Sequence, residues 1–185
     1  ISTSANWVIA VDAQTGVERW RFDPGLPKDI QYSSSASRGV SLWHGSAAEC
    51  PNRIFLGTLI GELIALDALT GEPCSDFGVN GRVDLSKGAG SVELGEYSIT
   101  SPPAILGDLV IVGSAIGDNR ATDLERGIVR AIDAQTGSIQ WLWDPIPKST
   151  NDKARATWNG DSNLNTGAAN AWAPLTADPS SGLIY

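Results

Sequence analysis

Three separate segments of this chain contain side chains suited to holding an oxygen-rich ligand or a cation. Arg38 lies in SRGV, and its guanidinium offers several donors in a planar fork and keeps its charge. Asp118 and Asn119 close the segment GSAIGDN, where a carboxylate beside an amide supplies the oxygen ligands that Ca²⁺ or Mg²⁺ prefers. Trp172, in NAWAP, has a large flat indole that can stack against a planar ring system.

Each of these residues also has an ordinary structural explanation. Arg38 could form a surface ion pair, and from residue types alone that is the simpler interpretation. Gly-Asp-Asn is a common turn sequence, so Asp118 and Asn119 could simply bend the chain. Trp172 could pack between structural units. The choice depends on the elements that position these segments.

A five-residue phrase that occurs three times defines those elements. DAQTG occupies residues 12–16 and 133–137, and DALTG occupies residues 67–71. Each copy follows a short apolar run and precedes a second extended run, which is typical of a β-hairpin with a Gly-containing turn. An Asp side chain can accept hydrogen bonds from such a turn. We therefore interpret Asp12, Asp67 and Asp133 as turn-forming residues rather than as metal ligands or bases.

The spacing of the copies predicts a β-propeller. They begin 55 and 66 residues apart, which suits blades of several short strands each. Trp20 and Trp141 follow their turns at equivalent positions and are expected to pack between neighbouring blades, whereas Ser75 takes that position in the middle copy. The prediction is an all-β fold of antiparallel four-stranded blades, with about three blades in residues 1–185.

Composition excludes some classes of function. The net charge of −8 argues against nucleic-acid binding, which favours a basic surface. No apolar run reaches the length of about 18 residues that a membrane-spanning helix needs, and no signal peptide is visible at Ile1.

The two cysteines, Cys50 and Cys74, leave two alternatives open. A bridge between them would contribute about 3.5 kcal/mol in the chain-entropy model and would imply an oxidising compartment. It would also lie beside Ser75 and could substitute for the missing Trp. The other interpretation is two ordinary thiols in a reducing cell.

The repeat Ala-x-Asp-x-x-Thr-Gly-x-x-x-Trp, at residues 10–20 and 131–141, resembles the tryptophan-docking motif of quinoprotein dehydrogenases. Four further segments are similar to the membrane-bound glucose dehydrogenase branch of that family: SRGVSLW, CPNRIFLGT, TSPPAILGDLVIVGSAIGDN and NAWAPLTAD. The resemblance implies an eight-bladed propeller that holds pyrroloquinoline quinone near its axis, over Ca²⁺ or Mg²⁺. Residues 1–185 would then be part of one propeller domain, incomplete at both ends.

The resemblance also implies roles for the residues singled out above. Arg38 matches an arginine that contacts the quinone oxygens, Asp118 a cation ligand with Asn119 beside it at the cofactor, and Trp172 the floor under the quinone ring. The family oxidises a sugar, polyol or cyclic alcohol, of which glucose fits this branch best, and passes electrons to ubiquinone at the periplasmic face of the bacterial inner membrane. The cysteine bridge agrees with that compartment.

Two departures from the family pattern limit these expectations. Ser34 stands where the glucose dehydrogenases carry a His above the quinone, so the upper wall of the site or the substrate should differ. The catalytic base of the family belongs to a later blade, so no catalytic residue is expected here and the chain alone should be inactive. The alternative is a non-catalytic propeller that serves as an assembly scaffold. The expected protein partner is the rest of the propeller or another copy of this chain.

Overall fold

The computed structural model describes residues 1–46, 49–117, 120–122, 124–166 and 168–185. Its strands are β1 (Val8–Val11), β2 (Glu18–Phe22), β3 (Ser41–His44), β4 (Asn52–Gly57), β5 (Glu62–Asp67), β6 (Arg82–Asp84), β7 (Ala104–Leu106), β8 (Leu109–Val112), β9 (Val129–Asp133), β10 (Ile139–Trp143), β11 (Ala177–Asp178) and β12 (Leu183–Ile184). Two short 3₁₀ helices, Lys153–Thr157 and Ser162–Asn165, lie between β10 and β11. None of the described helices is long and apolar enough to cross a bilayer.

The strands form four antiparallel sheets, and this arrangement confirms the predicted blades. Two sheets are complete, with strand orders β3-β4-β5-β6 and β7-β8-β9-β10. Two-stranded sheets, β1–β2 and β11–β12, precede and follow them along the chain. The described strands therefore form two complete blades and two half-blades, which together correspond to about three blades.

The repeated phrase forms the same turn in all three places. In the middle copy the Asp67 side chain accepts hydrogen bonds from the Leu69 and Thr70 amides at 2.8 and 2.9 Å. Asp12 and Asp133 accept equivalent bonds in their own turns. The closing glycine, such as Gly71 with φ +77°, adopts the left-handed conformation that glycine favours. These aspartates are therefore turn-formers, as predicted.

The middle copy differs from the predicted simple hairpin. After its turn only Pro73 bridges back to Leu66, and the chain then makes a further loop before β6 begins at Arg82. Gly78 and Gly81 bend this loop with φ values of +57° and +84°. Cys74 is bonded to Cys50, with their Cα atoms 5.9 Å apart. The second extended run predicted here is thus displaced by a disulfide-anchored loop.

The largest cluster of buried apolar residues described lies between the two complete sheets, and smaller clusters lie between each two-stranded sheet and its neighbour. Phe55 and Leu63 from one sheet are fully buried against Val110 and Ile132 from the other. Phe77 from the disulfide-anchored loop joins them, with its ring centroid 5.4 Å from that of Phe55. Burial of these apolar faces is the main force that holds neighbouring blades together.

The strand directions place the repeated turns at one end of the sheets and the connections that contain the predicted site residues at the other. Because the strands are antiparallel, the three repeated turns lie at one end of the sheets. The connections at 23–40, 85–103, 113–128 and 144–176 leave from the other end. Every site residue predicted from the sequence belongs to this second group of connections.

Candidate cofactor site

Arg38 and Trp172 meet at one cavity of about 240 Å³ at the end of the sheets opposite the repeated turns. The segments that form it are the connections β2–β3, β6–β7, β8–β9 and β10–β11. Its lining residues are Ser33, Ser34, Arg38, Thr100, Ala115, Ile116, Asn170 and Trp172. No carboxylate is among these described lining residues.

Arg38 is held by the backbone of the neighbouring connection. Its amide donates to the Thr100 carbonyl at 3.0 Å, and its Nη1 donates to the same oxygen at 3.3 Å. Within the described residues it forms no salt bridge, so the simple surface ion pair is not what positions it. The Thr100 carbonyl is its one hydrogen-bond acceptor among the described residues, and Arg38 lines the cavity.

Trp172 presents its ring to the cavity instead of packing between sheets. The side chain is 48% exposed, and its carbonyl accepts from the Ser101 hydroxyl at 2.7 Å. The segment before it lies close against the β7–β10 sheet because glycine occupies the two contact points. A Cβ on Gly113 would lie 2.0 Å from the Ala171 carbonyl, and one on Gly127 would lie 2.2 Å from the Ala169 carbonyl.

The two side chains contact each other. The Arg38 Cζ lies 5.0 Å from the centre of the Trp172 ring, within the range of a cation–π interaction. A planar ligand can stack on the same indole if the guanidinium swings to the edge of the ring, where its N–H groups would meet oxygen atoms of the ligand. The described residues thus fit a flat, oxygen-bearing cofactor.

Ser34, which the family resemblance matches to a His, lines the same cavity. Its hydroxyl accepts a hydrogen bond of 3.4 Å from the Ala36 amide. A hydroxyl offers neither an aromatic face nor a charge, so Ser34 can hydrogen-bond to a ligand but cannot stack on it or pair with a charge.

Asp118 and Asn119, the predicted cation ligand and its neighbour, lie outside the described residues, and their roles stay predictions. Ile116, two residues before Asp118, lines the cavity. Among the described residues no group of three His, Cys, Asp or Glu side chains could hold a metal ion.

An ion-pair network that the sequence does not predict lies next to this segment. Arg120 donates from Nη2 to both carboxylate oxygens of Glu125 at 2.8 Å. The Glu125 side chain is 2% exposed, which is unusual for a carboxylate. The only sequence signal was a charged residue at each end of a short polar loop, which is too common to single out.

Antiparallel four-stranded blades, joined by connections that build a cavity at one end, define a β-propeller with a candidate cofactor site. Residues 1–185 match the family model "PQQ: Glucose/ethanol/alcohol dehydrogenase, beta-propeller domain", and the chain belongs to this family. The resemblance to quinoprotein dehydrogenases found in the sequence is therefore confirmed.

Individual relatives agree with this assignment. The chain is 31% identical over 200 residues to quinoprotein glucose dehydrogenase A of Acinetobacter calcoaceticus, covering 100% of this chain and 24% of that protein. It is 33% identical over 187 residues to the glycerol dehydrogenase large subunit of Gluconobacter oxydans (strain 621H), covering 99% and 25%. The chain thus spans about a quarter of the length of these relatives.

Solved structures support the same fold. Quinohemoprotein alcohol dehydrogenase from Comamonas testosteroni superimposes with a TM-score of 0.76 at 27% identity, covering 97% of this chain and 26% of that one. A europium-containing methanol dehydrogenase gives a TM-score of 0.65 at 25% identity, with 97% and 31% covered.

Proposed function

We propose that this chain is part of the propeller of a quinoprotein dehydrogenase that oxidises a sugar, polyol or cyclic alcohol, with glucose the first candidate. Pyrroloquinoline quinone and Ca²⁺ or Mg²⁺ would be its cofactors, ubiquinone its electron acceptor, and the periplasmic face of the inner membrane its location. The disulfide between Cys50 and Cys74 supports an oxidising compartment. Residues 1–185 would form one incomplete propeller domain and be inactive alone.

The observation that carries this proposal is the Arg38 guanidinium above the exposed Trp172 ring in one cavity. The two residues are far apart in sequence and come from different connections. A propeller used only as a scaffold has no need for a cavity-lining cation that forms no salt bridge within the described residues beside an exposed indole.

Each residue of the site has a distinct task. Trp172 would form the flat floor, and Arg38 would bind the quinone oxygens through its planar fork. Asp118 would ligate the cation, with Asn119 beside it, and Ser34 would form the opposite wall. The chemistry that the quinone supplies when bound is acceptance of a hydride from the alcohol carbon. The base that removes the hydroxyl proton is expected outside residues 1–185.

Reconstitution of the full-length protein tests the reaction. Apoprotein is mixed with pyrroloquinoline quinone and Ca²⁺ or Mg²⁺, and dye reduction is followed with glucose, quinate and glycerol. We expect reduction with at least one substrate and none without the quinone. No reduction with any of the three would favour the scaffold interpretation.

A binding titration tests the site itself. We expect Arg38→Lys to weaken quinone binding to the full-length apoprotein by about tenfold, because one charge-assisted hydrogen bond contributes about 1.5 kcal/mol. The matched control is Arg19→Lys, at a repeated turn on the opposite end of the sheets, which should leave the Kd unchanged. An equal effect of both variants would contradict the assignment of Arg38.

A further inference from the structure

The β6–β7 connection joins Arg38 to Trp172 through two adjacent residues. On one side the Thr100 carbonyl accepts hydrogen bonds from the Arg38 amide at 3.0 Å and from its Nη1 at 3.3 Å. On the other side the Ser101 hydroxyl donates to the Trp172 carbonyl at 2.7 Å, and the Thr100 hydroxyl lies 3.4 Å from the same oxygen. The two residues of the candidate cofactor site are therefore attached to neighbouring points of a third segment.

This third segment is stiff because of its sequence. Pro102 and Pro103 follow Ser101 directly, and each proline ring fixes its own φ at about −65°. A residue that precedes proline is restricted to extended conformations, which applies to Ser101 and to Pro102. The far end of the segment is anchored as well, since the Ser41 hydroxyl donates to the Pro103 carbonyl. Residues 100–103 are therefore a spacer of nearly fixed length between the β2–β3 and β10–β11 connections.

The backbone of Trp172 depends on this spacer more than the backbone of Arg38 does. Arg38 lies three residues before β3, whose pairing with β4 fixes the chain there. Trp172 lies seven residues after the 3₁₀ helix that ends at Asn165 and five residues before β11. Strand pairing therefore does not determine where Trp172 lies, and its position rests on tertiary contacts such as the Ser101 hydrogen bond.

We propose that Ser101 is a positioning residue that holds Trp172 at the spacing from Arg38 that the quinone requires; this rests on the proposed function. A planar ligand must stack on the indole and meet the guanidinium at its edge at the same time, so the two groups must keep a fixed relation. Such sites depend on supporting residues that hold the contacting side chains within about 0.5 Å of the productive geometry. The Ser101 hydroxyl provides this support without itself contacting the ligand.

The first test needs no cofactor. Fluorotryptophan is incorporated into the full-length apoprotein, and the fluorine NMR resonance of Trp172 is assigned as the one that Trp172→Phe removes. Ser101→Ala should shift or broaden this resonance, because the indole is no longer held in one place beside the Arg38 guanidinium. The matched control is Thr157→Ala, which removes another hydroxyl-to-carbonyl hydrogen bond of 2.7 Å from the β10–β11 connection and should leave the resonance unchanged.

The second test is a fluorescence titration of the same apoproteins with pyrroloquinoline quinone in the presence of Ca²⁺. Ser101→Ala should raise the Kd for the quinone about 3–10-fold, as expected for the loss of one hydrogen bond. Ser101→Thr restores a hydroxyl at the same place and should return both the resonance and the Kd to their wild-type values. If Ser101→Thr is as impaired as Ser101→Ala, the hydroxyl is not the positioning group and the proposal is wrong.

The two measurements separate this proposal from the function on which it rests. An unchanged Trp172 resonance or an unchanged Kd in Ser101→Ala would overturn the positioning role, whatever the quinone does in the wild type. If the wild-type protein does not bind the quinone while Ser101→Ala still shifts the resonance, the proposed function fails and only the contact between Ser101 and Trp172 stands. Weaker binding by Ser101→Ala, rescue by Ser101→Thr and no effect of Thr157→Ala is the expected result.

Discussion

Two of the three interfaces between neighbouring sheets satisfy the equivalent backbone carbonyl with different side chains. At the first interface the Trp20 indole N–H donates to the Ala68 carbonyl at 3.2 Å, and the ring lies so close to Gly71 that a Cβ there would be 2.5 Å away. At the second interface the Arg53 guanidinium donates to the Ala134 carbonyl at 3.1 Å. Ala68 and Ala134 hold the same position in their turns, so the turn is the constant part and the donor varies.

The two donors place different demands on their surroundings. A neutral indole needs only its one acceptor, whereas the fully buried Arg53 side chain needs a counter-charge. Asp76 provides it, with its oxygens 2.7 and 2.6 Å from Arg53 Nη2. The Cys50 carbonyl accepts from Arg53 Nε at 3.1 Å, and the disulfide joins Cys50 to Cys74, two residues before Asp76. The second interface therefore depends on a supported ion pair.

The largest expected effect comes from removing the guanidinium. Arg53→Met would leave Asp76 without its partner and the carbonyls of Ala134 and Gln135 without donors. We expect the free energy of unfolding of the full-length protein to fall by about 3–5 kcal/mol, because the carbonyls of Cys50, Ala134 and Gln135 lose a donor at about 1–3 kcal/mol each, whereas Asp76, at 33% exposed, stays partly hydrated. Urea denaturation followed by tryptophan fluorescence measures this.

The control for this variant is Arg82→Met. Arg82 pairs with Glu62 at 2.7 Å, but the two side chains are 31% and 23% exposed. Its loss should cost about 1 kcal/mol or less. If the two variants destabilise the protein equally, Arg53 is not a special replacement for the tryptophan.

Removing the disulfide should have the next largest effect. The double variant Cys50→Ser and Cys74→Ser is expected to lose about 2–4 kcal/mol, mainly because the unfolded chain gains freedom. A reductant should destabilise the wild-type protein by a similar amount and leave the double variant unaffected. A wild-type protein insensitive to reductant under unfolding conditions would contradict a bridge that supports this interface.

The sequence predicted the repetitive part of this fold better than its exceptions. The three turns and the antiparallel blades followed from local spacing, and the Cys50–Cys74 bridge was one of two alternatives. Arg53 was missed because it lies inside an apolar strand and its carbonyl acceptors are 81 and 82 residues further along the chain.

The candidate site shows the same limit. Only the family resemblance points to Arg38 and Trp172, since nothing local in the sequence indicates that they share a cavity. Only the topology, which sends their two connections to the same end of the sheets, brings them together. Glu125 was missed for a related reason: burial of a carboxylate is a tertiary property that no local pattern of charges reveals.

A smaller effect is expected at the first interface. Trp20→Phe keeps an aromatic ring against Gly71 but removes the N–H that donates to Ala68. The free energy of unfolding should fall by about 0.5–1.5 kcal/mol, the net contribution of one hydrogen bond. The control is Trp7→Phe, since Trp7 makes a cation–π contact with Arg21 and, within the described residues, no indole hydrogen bond. If the free energy of unfolding falls as much as in Arg53→Met, the Trp20 indole must depend on stabilising contacts in addition to those described above.

The smallest expected effect on stability comes from a change at the repeated turn, the element that the two interfaces have in common. The Arg19 guanidinium, followed by the amide and hydroxyl of Thr15, lowers the pKa of Asp12 from 3.8 to about 2. Because the folded-state pKa lies below the unfolded value, ionised Asp12 stabilises the fold above pH 4, and this contribution is lost as the pH falls towards 2. Arg19→Gln should therefore reduce the fall in unfolding temperature between pH 4.5 and pH 2, whereas Lys28→Gln, with the same charge change away from the turn, should not. If both variants reduce the fall in unfolding temperature equally, the net charge and not the Arg19–Asp12 contact controls the loss of stability in acid. The turn would then be maintained by its backbone hydrogen bonds alone.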